Sequence, residues 1–531
     1  MHLTARLSFY VTLLFLGIGC APAPQGNSDT SPAAEAGKPN IVIIYLDDLG
    51  YGDVSAYGQQ TLLTPNMDAL AAGGIRFTNG YAASATCTPS RYALLTGRYP
   101  WRNTQAKILP GTAPLIIDTS QLTIPRALRA AGYFTGVVGK WHLGLGSGQV
   151  NWNDSISPGP NEVGFDYSYI MAATQDRVPT VYLRDGLVQG LDPADPIEVS
   201  YEKNFAGEPT GADNRELLKL RWHHGHNNSI VNGIPRIGYM RGGEAARWSD
   251  VDMNDRFLDE AQGFIRNHAN EPFFLYYAMQ QPHVPRTPHP RFAGTSGLGP
   301  RGDAILEADW SIGEIMATLR REGLLENTLV ILTSDNGPVL NDGYYDQAVE
   351  LLGDHRPSGP LRGGKYSLYE AGTRVPFITF WQGTIVPQVS DALISQLDFL
   401  PSLMQLARPE TATDNEVSDA PSSLDGQNLL PVLLGQDSRG RETLILEATS
   451  RTALRKGDWL MIPPYSTTPL LGEVQIETGS APSFQLYNLR DDVEQRRNLA
   501  EDRPEKLAEM RATFETIRGK HYGGGGPLKL E

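Results

Sequence analysis

The chain has 531 residues, 40% of them hydrophobic, and its 45 Lys and Arg stand against 60 Asp and Glu for a formal net charge of -15. That length can bury a sizeable core, in one large domain plus a smaller one. The negative balance argues against nucleic acid as the main partner, but it leaves an anionic substrate open, because a local cluster of Lys, Arg and His can reverse the field inside one cleft.

Residues 1–20 read as an export signal: His2 and Arg6 precede the apolar run Leu7–Ile18, which ends in Gly19-Cys20. The run is too short for a comfortable membrane span. Small residues before Cys20 and Ala21-Pro22-Ala23-Pro24 after it resemble a bacterial lipoprotein site, with Cys20 lipidated and tethering the chain to a membrane. Gly17 stands where such sites usually carry Leu, so plain cleavage and release stays open. Either route predicts an exported protein, periplasmic, secreted or anchored in the outer membrane. Residues 21–38, rich in Pro, Ala, Gly, Ser and Asn, read as a flexible tether.

Asn40–Leu46 is a continuous apolar run of strand length, as expected of a strand buried on both faces, and it ends in Asp47-Asp48. Thr64-Pro65-Asn66 opens a helix through about Ala72. The stretch from Cys87 to Arg98 predicts a second helix, with Pro89 at its first position, Gly97 as its stop and Cys87 just before it. There Cys87 faces unpaired N–H donors and the positive end of the helix dipole, and Arg91 adds a fixed charge one turn on. Taken alone, the residue is better explained as a buried structural cysteine at a helix start.

The same grammar recurs along the chain. Thr135–Gly139 leads into Lys140-Trp141-His142, Pro272–Ala278 leads to His283, and Leu329–Ser334 leads to Asp335-Asn336, after a helix near Ala304–Arg321 that Gly323 stops. Strands alternating with helices predict an α/β domain over 39–430, built on a large, mostly parallel sheet flanked by helices. Sites in such sheets form beyond the carboxyl ends of the strands, where these reactive groups fall. Residues 151–250 read as long excursions from the core. The sheet pattern fades after Pro376–Phe380, and 409–423 reads as a linker. Residues 431–531 predict a smaller C-terminal α+β domain, with strands at Thr443–Glu447, Trp459–Ile462 and Phe484–Leu489 and an amphipathic helix at Pro504–Lys520.

Asp47, Asp48, Asp335 and Asn336 offer only oxygen donors, which suits a hard cation, Ca²⁺ first and Mg²⁺ second, and argues against zinc. An adjacent Asp pair is usually a solvated turn. Two acidic clusters, each ending an apolar strand, are more specific.

The Cys87–Arg98 stretch resembles the signature of the type I sulfatases of the alkaline phosphatase superfamily: C-x-P-S-R followed by Leu-Thr-Gly-Arg. Further blocks of that family recur in order between about residues 39 and 385: Gly139-Lys140-Trp141-His142-Leu143-Gly144, Gln281-Pro282-His283, Gly363-Gly364-Lys365 and Leu368–Pro376. Leu486-Tyr487-Asn488-Leu489 resembles the small C-terminal domain of sulfatases. The resemblance implies that a separate maturation enzyme converts Cys87 to formylglycine, whose hydrated aldehyde is the nucleophile. It implies a cation held by Asp47, Asp48, Asp335, Asn336 and residue 87, with Asp335 also a candidate base. Arg91, Lys140 and His142 then stand around residue 87 and the sulfate oxygens, Lys365 grips the sulfate, and His283 protonates the leaving alcohol. With Cys20 lipidated or removed and Cys87 oxidised, no disulfide framework is available.

Export and tethering suit a sulfatase acting on external sulfated carbohydrate, of bacterial polysaccharide or glycosaminoglycan type, rather than on small aryl esters, with a galacto-configured sugar as one candidate. Candidate sugar contacts are His223, His224, His226, Arg236, Arg241, His355 and Arg356, with Trp222 and Trp248 as stacking platforms; for each one, ordinary packing or surface placement is the commoner use. Two other readings stay open on sequence: a phosphate or phosphonate ester hydrolase of the same superfamily, and a non-catalytic, glycan-binding relative.

Overall fold

The computed structural model describes residues 37–58, 60–408 and 424–520. The export signal with Cys20, the tether up to residue 36 and the 409–423 linker lie outside the described residues. The centre is a ten-stranded sheet. Its strands in chain order are β1 (Asn40–Leu46), β2 (Ile75–Phe77), β3 (Phe134–Lys140), β4 (Tyr167–Met171), β5 (Tyr182–Arg184), β6 (Leu187–Val188), β7 (Phe273–Ala278), β8 (Thr328–Ser334), β9 (Phe377–Phe380) and β10 (Gln388–Ser390). Their spatial order is β10-β2-β9-β8-β1-β7-β3-β4-β5-β6. The five central strands, β8 to β4, pair in parallel, whereas β9 and β5 run against their neighbours. The predicted fold class therefore holds.

The apolar run of β1 explains its central place. Ile41, Ile43 and Tyr45 point into one core and Val42, Ile44 and Leu46 into the other, all with no exposed surface. Each such side chain contributes roughly 1.5–3 kcal/mol on burial, so the strand is stable only when covered on both faces. One cover is helix α2 (Cys87–Thr96), through Tyr92, Leu94 and Leu95. The other comprises α1 (Pro65–Gly73), α3 (Met253–Asn267) and α4 (Gly299–Arg321).

Several expectations change in detail. Helix α2 starts at Cys87 itself, so Pro89 is its third residue; a proline fits there because the first N–H groups of a helix have no partner inside it. Gly97 does end the helix, at φ 62°, with its N–H donating to the Ala93 carbonyl. Thr64 precedes α1 without capping it, its hydroxyl engaging Ser55 and Asp68 instead. The 151–250 region is not purely excursion, since β4, β5 and β6 complete the sheet from within it, and α3 follows it unpredicted. Sheet continues past Phe380 in β10.

Beyond the linker, β11 (Thr443–Ala448), β12 (Arg451–Lys456), β13 (Trp459–Ile462) and β14 (Gln485–Asn488) form an antiparallel sheet in the order β11-β12-β13-β14. Helix α5 (Pro504–Arg518) adds Met510 and Phe514 to its core. That core is shared with Tyr81, Ala85, Tyr99 and Leu368, so this sheet packs directly on the segments flanking Cys87 and Lys365.

Candidate active site

Asp47 and Asp48 follow β1, His142 follows β3, His283 lies five residues beyond β7, and Asp335 and Asn336 follow β8. Parallel pairing of β8, β1, β7 and β3 brings all these carboxyl ends to one place. Two tight backbone turns complete the aim: Asp48 and His142 both have positive φ, 62° and 54°. The Asp335 N–H donates to the Leu46 carbonyl and the Asp48 N–H donates to Asp335 Oδ1, tying the two acidic loops together (3.0 and 3.2 Å).

The site is a layered ionic cluster with almost no water access. Arg91 grips Asp335 Oδ2 through Nε and Nη2 (3.1 and 2.8 Å) and donates through Nη1 to the Lys140 carbonyl (3.1 Å). Lys140 Nζ lies 2.5 Å from Asp47 Oδ2 and 4.0 Å from Asp335 Oδ2. Lys365 Nζ bridges Asp48 Oδ2 and Asp342 Oδ2 (2.9 and 3.0 Å). Cys87 Sγ is 3.6 Å from Asp47 Oδ1. His283 Nε2 is 3.9 Å from Asp48 Oδ2, while its Nδ1 pairs with the Val284 carbonyl (2.7 Å).

Burial and the neighbouring Asp335 push the Asp47 carboxyl well up. Asp335 is equally buried, yet Arg91 and Lys140 outweigh that and hold it at about 2. Burial, helped by Asp335, drives the Cys87 thiol up, so a thiolate is disfavoured here. Burial and Lys365 take His283 down to about 4, and burial and Lys140 depress His142, so both imidazoles are neutral near pH 7. Because His142 Nε2 faces the Leu109 carbonyl at 3.0 Å, that nitrogen carries the hydrogen and the buried Nδ1 keeps a free lone pair.

Donor atoms of Asp47, Asp48, Asp335 and Cys87 all lie within 4.8 Å of one another. Asn336 donates its amide to Asp48 Oδ1 (2.7 Å), which leaves its own buried Oδ1 beside them without a partner among the described residues. Three close carboxylates and an orphaned amide oxygen fit a divalent cation, and the oxygen-rich set suits a hard one.

A cavity of about 610 Å³ opens onto Cys87, His142, His283 and Lys365. It is also lined by groups that sequence reasoning does not single out: Asp176, Arg177, Asp342 and Glu447. Among the expected sugar contacts, His224 and His226 line it, and His226 Nε2 pairs with Asp176 Oδ2 (2.8 Å). The others serve elsewhere. Arg236 is buried against Asp250, His355 against Asp53, Arg241 pairs with Glu198 on the surface, and Trp248 packs in the core. His223 packs edge-on against Tyr345, Arg356 is exposed, and Trp222 donates to the Gly211 carbonyl with Arg215 over its ring. Asp342 carries one usable sequence signal, an Asn-Asp-Gly turn shortly after Asp335.

A family model described as Sulfatase matches residues 39–409. The chain is 49% identical over 483 residues to the N-acetylgalactosamine-6-O-sulfatase of Bacteroides thetaiotaomicron, an alignment spanning 91% of this chain and 93% of that protein. It is 35% identical over 422 residues to Arylsulfatase A of Homo sapiens, over 77% of this chain and 71% of that protein. A solved structure from work on the metabolism of multiple glycosaminoglycans by Bacteroides thetaiotaomicron superposes with a TM-score of 0.87 at 49% identity, covering 90% of this chain and 99% of that one. The chain belongs to the sulfatase family and is a sulfuric ester hydrolase.

Proposed function

We propose that this enzyme removes the 6-O-sulfate of N-acetylgalactosamine-type residues in sulfated glycans, with residue 87 matured to formylglycine and Ca²⁺, ahead of Mg²⁺, at the acidic cluster. The observation that carries the reading is one ionic cluster in which residue 87, Lys365 and the neutral imidazoles of His142 and His283 line the cavity, with Asp47, Asp48, Asp335 and Lys140 buried beside them. The choice of sugar is supported by the 49% identical relative from Bacteroides thetaiotaomicron, an N-acetylgalactosamine-6-O-sulfatase.

Asp47, Asp48, Asp335 and Asn336 would hold the cation, which supplies positive charge beside residue 87 and the ester oxygens. The formylglycine hydrate supplies a nucleophilic oxygen and a second hydroxyl through which sulfate can leave, which a thiol cannot. Lys140 and Lys365, both buried, add fixed positive charge where it acts strongly on an anionic ester. Arg91, fully buried, anchors Asp335 and the Lys140 backbone. His142 Nδ1, a buried acceptor without a partner among the described residues, would take a proton from residue 87. His283 is neutral in the free site; the negative charge of a bound ester favours its imidazolium, the form able to protonate the departing alcohol.

The same reading makes residues 1–20 a lipoprotein-type export signal, 39–430 the catalytic domain and 431–531 a C-terminal subdomain, with the protein outside the cytoplasm. Peptide mass spectrometry of protein from its native host tests the chemistry at residue 87. We expect a loss of about 18 Da relative to cysteine (CH₂SH replaced by CHO), with hydrolysis of N-acetylgalactosamine 6-sulfate abolished in Cys87→Ala. An unmodified thiol alongside full activity overturns the mechanism. A phosphate ester hydrolysed faster than the sulfate ester of the same alcohol overturns the substrate.

A further inference from the structure

Glu447 is an ionisable residue inside the otherwise apolar strand β11, Thr-Leu-Ile-Leu-Glu-Ala. It is 2% exposed and lines the active-site cavity. The Ser450 N–H donates to its Oε1 at 3.3 Å, so Oε1 acts as the carbonyl-type acceptor. Oε2 has no partner among the described residues. Burial pushes the carboxyl up to about 8, with Arg518 of α5 the one charged group that pulls the other way. Near neutral pH, therefore, Oε2 is an O–H donor at the cavity without an acceptor, and such groups are rarely left so.

A second feature points the same way. Glu447 sits just before a two-residue hairpin turn, Thr449-Ser450, whose residues both line the cavity and both adopt positive φ, 51° and 70°. Neither is glycine or asparagine, the residues such a turn favours. The strained turn is held by Arg451, which donates to Thr449 Oγ1 and the Tyr366 carbonyl (3.0 Å each) and to Ser480 Oγ (2.5 Å). The strand itself is fastened to the nucleophile's own segment, as the Ala85 N–H donates to the Glu447 carbonyl (2.8 Å). Backbone strain held in place by its surroundings at a cavity wall is the mark of a ligand-facing element.

We propose that the Glu447 carboxyl and the Thr449-Ser450 turn form a hydrogen-bonding subsite for a hydroxyl or amide oxygen of the saccharide that bears the sulfate ester. The assignment rests on the sulfated-carbohydrate reading. It makes Glu447 a specificity-determining residue contributed by the C-terminal sheet. A protonated acid is suited to this wall, because a carboxylate facing a cavity that receives an anionic ester would repel it.

The test compares kcat and KM for N-acetylgalactosamine 6-sulfate and for 4-nitrophenyl sulfate in the parent, Glu447→Leu and Glu447→Gln. Glu447→Leu is expected to raise KM for the sugar at least tenfold and to lower the sugar-to-aryl ratio of kcat/KM to match. Glu447→Gln, whose amide can donate from the same place, recovers most of that loss. The sugar KM of the parent rises above about pH 8 as the carboxyl ionises, and that of Glu447→Gln does not. An unchanged ratio in both variants, or equal losses on both substrates with a lowered melting temperature, overturns the subsite. Calorimetric binding of the same sugar sulfate to the Cys87→Ala protein reads the subsite without turnover. There Glu447→Leu is expected to weaken binding tenfold, and equal affinity overturns the proposal even if the sulfatase chemistry fails separately.

Discussion

The two walls of the cavity are built on opposite principles. The floor, where His142 lines the cavity and the buried Asp47, Asp48, Lys140, Asp335 and Asn336 cluster around Cys87, sits at the carboxyl ends of parallel strands β1, β3 and β8 or within two residues of them, so the geometry of the sheet fixes it. The outer wall, with Asp176, Arg177, His226, Asp342 and Glu447, is gathered from loops and from a second sheet, and several of its side chains pair with one another. The contrast teaches where chemistry and selectivity separate: the floor can keep its shape while the outer wall is rebuilt for another sugar. Substitutions at the floor are therefore expected to reduce turnover of any sulfate ester, and those at the wall to discriminate among esters.

The largest effect is expected at Lys365, the cation that joins the floor to Asp342. Lys365→Met should lower kcat by about 10²–10³ on sugar and aryl sulfates alike, as loss of a preorganised charge does. A drop confined to KM for sugars would move Lys365 to the outer wall. Next comes Arg177, largely buried and paired with Asp176. Arg177→Ala should cost roughly 1–3 kcal/mol in transition-state binding of the sugar substrate, read as kcat/KM, with a far smaller loss on 4-nitrophenyl sulfate. Equal losses would erase the distinction between the walls.

The smallest effect is on stability against pH. Glu447 and Glu307 are held protonated in the folded chain up to about 8 and about 7, from an ordinary 4.5, chiefly by burial. Between 4.5 and those values the folded state binds protons that the unfolded state has released, so stability falls as pH rises through that window. Glu447→Gln should flatten the decline in melting temperature between about pH 5 and pH 8. An unaltered slope would mean that the Glu447 carboxyl is ionised in the folded protein.

This division also explains what the sequence discloses. Apolar runs such as Asn40–Leu46 announce buried parallel strands, and the residues that follow them must converge, so the floor is legible in the sequence itself. Asp176 and Arg177 follow β4, a strand whose Tyr-Ser-Tyr-Ile-Met pattern is neither a clean apolar run nor an alternation, and nothing local marks them out within 151–250. Helix α4 begins five residues ahead of its expected start at Ala304 although Gly299, Pro300 and Gly302 are poor helix formers; Arg301 pairs there with Asp53, and Gly302 packs closely on Ser296 and Leu298. Strand β12 escapes a local reading because its preceding turn lacks the glycine or asparagine that normally marks a hairpin. Arg236 and His355 look like surface residues by type, yet both are buried because Asp250 and Asp53 compensate them, a pairing across sequence that no local pattern reveals.

All ten residues of the Cys87 helix are buried, including Cys87, Thr88, Pro89, Ser90 and Arg91. A second protein could not wrap its own active site around that segment without pulling the helix from beneath the sheet and breaking the Arg91–Asp335 clasp. Under the proposed maturation, conversion of residue 87 therefore has a deadline: it must happen while the segment is still extended, before the core closes. Folding too fast would produce a well-packed and permanently silent molecule. The yield of active protein in a given host would then measure a race between two rates, oxidation of one cysteine and burial of the helix that carries it.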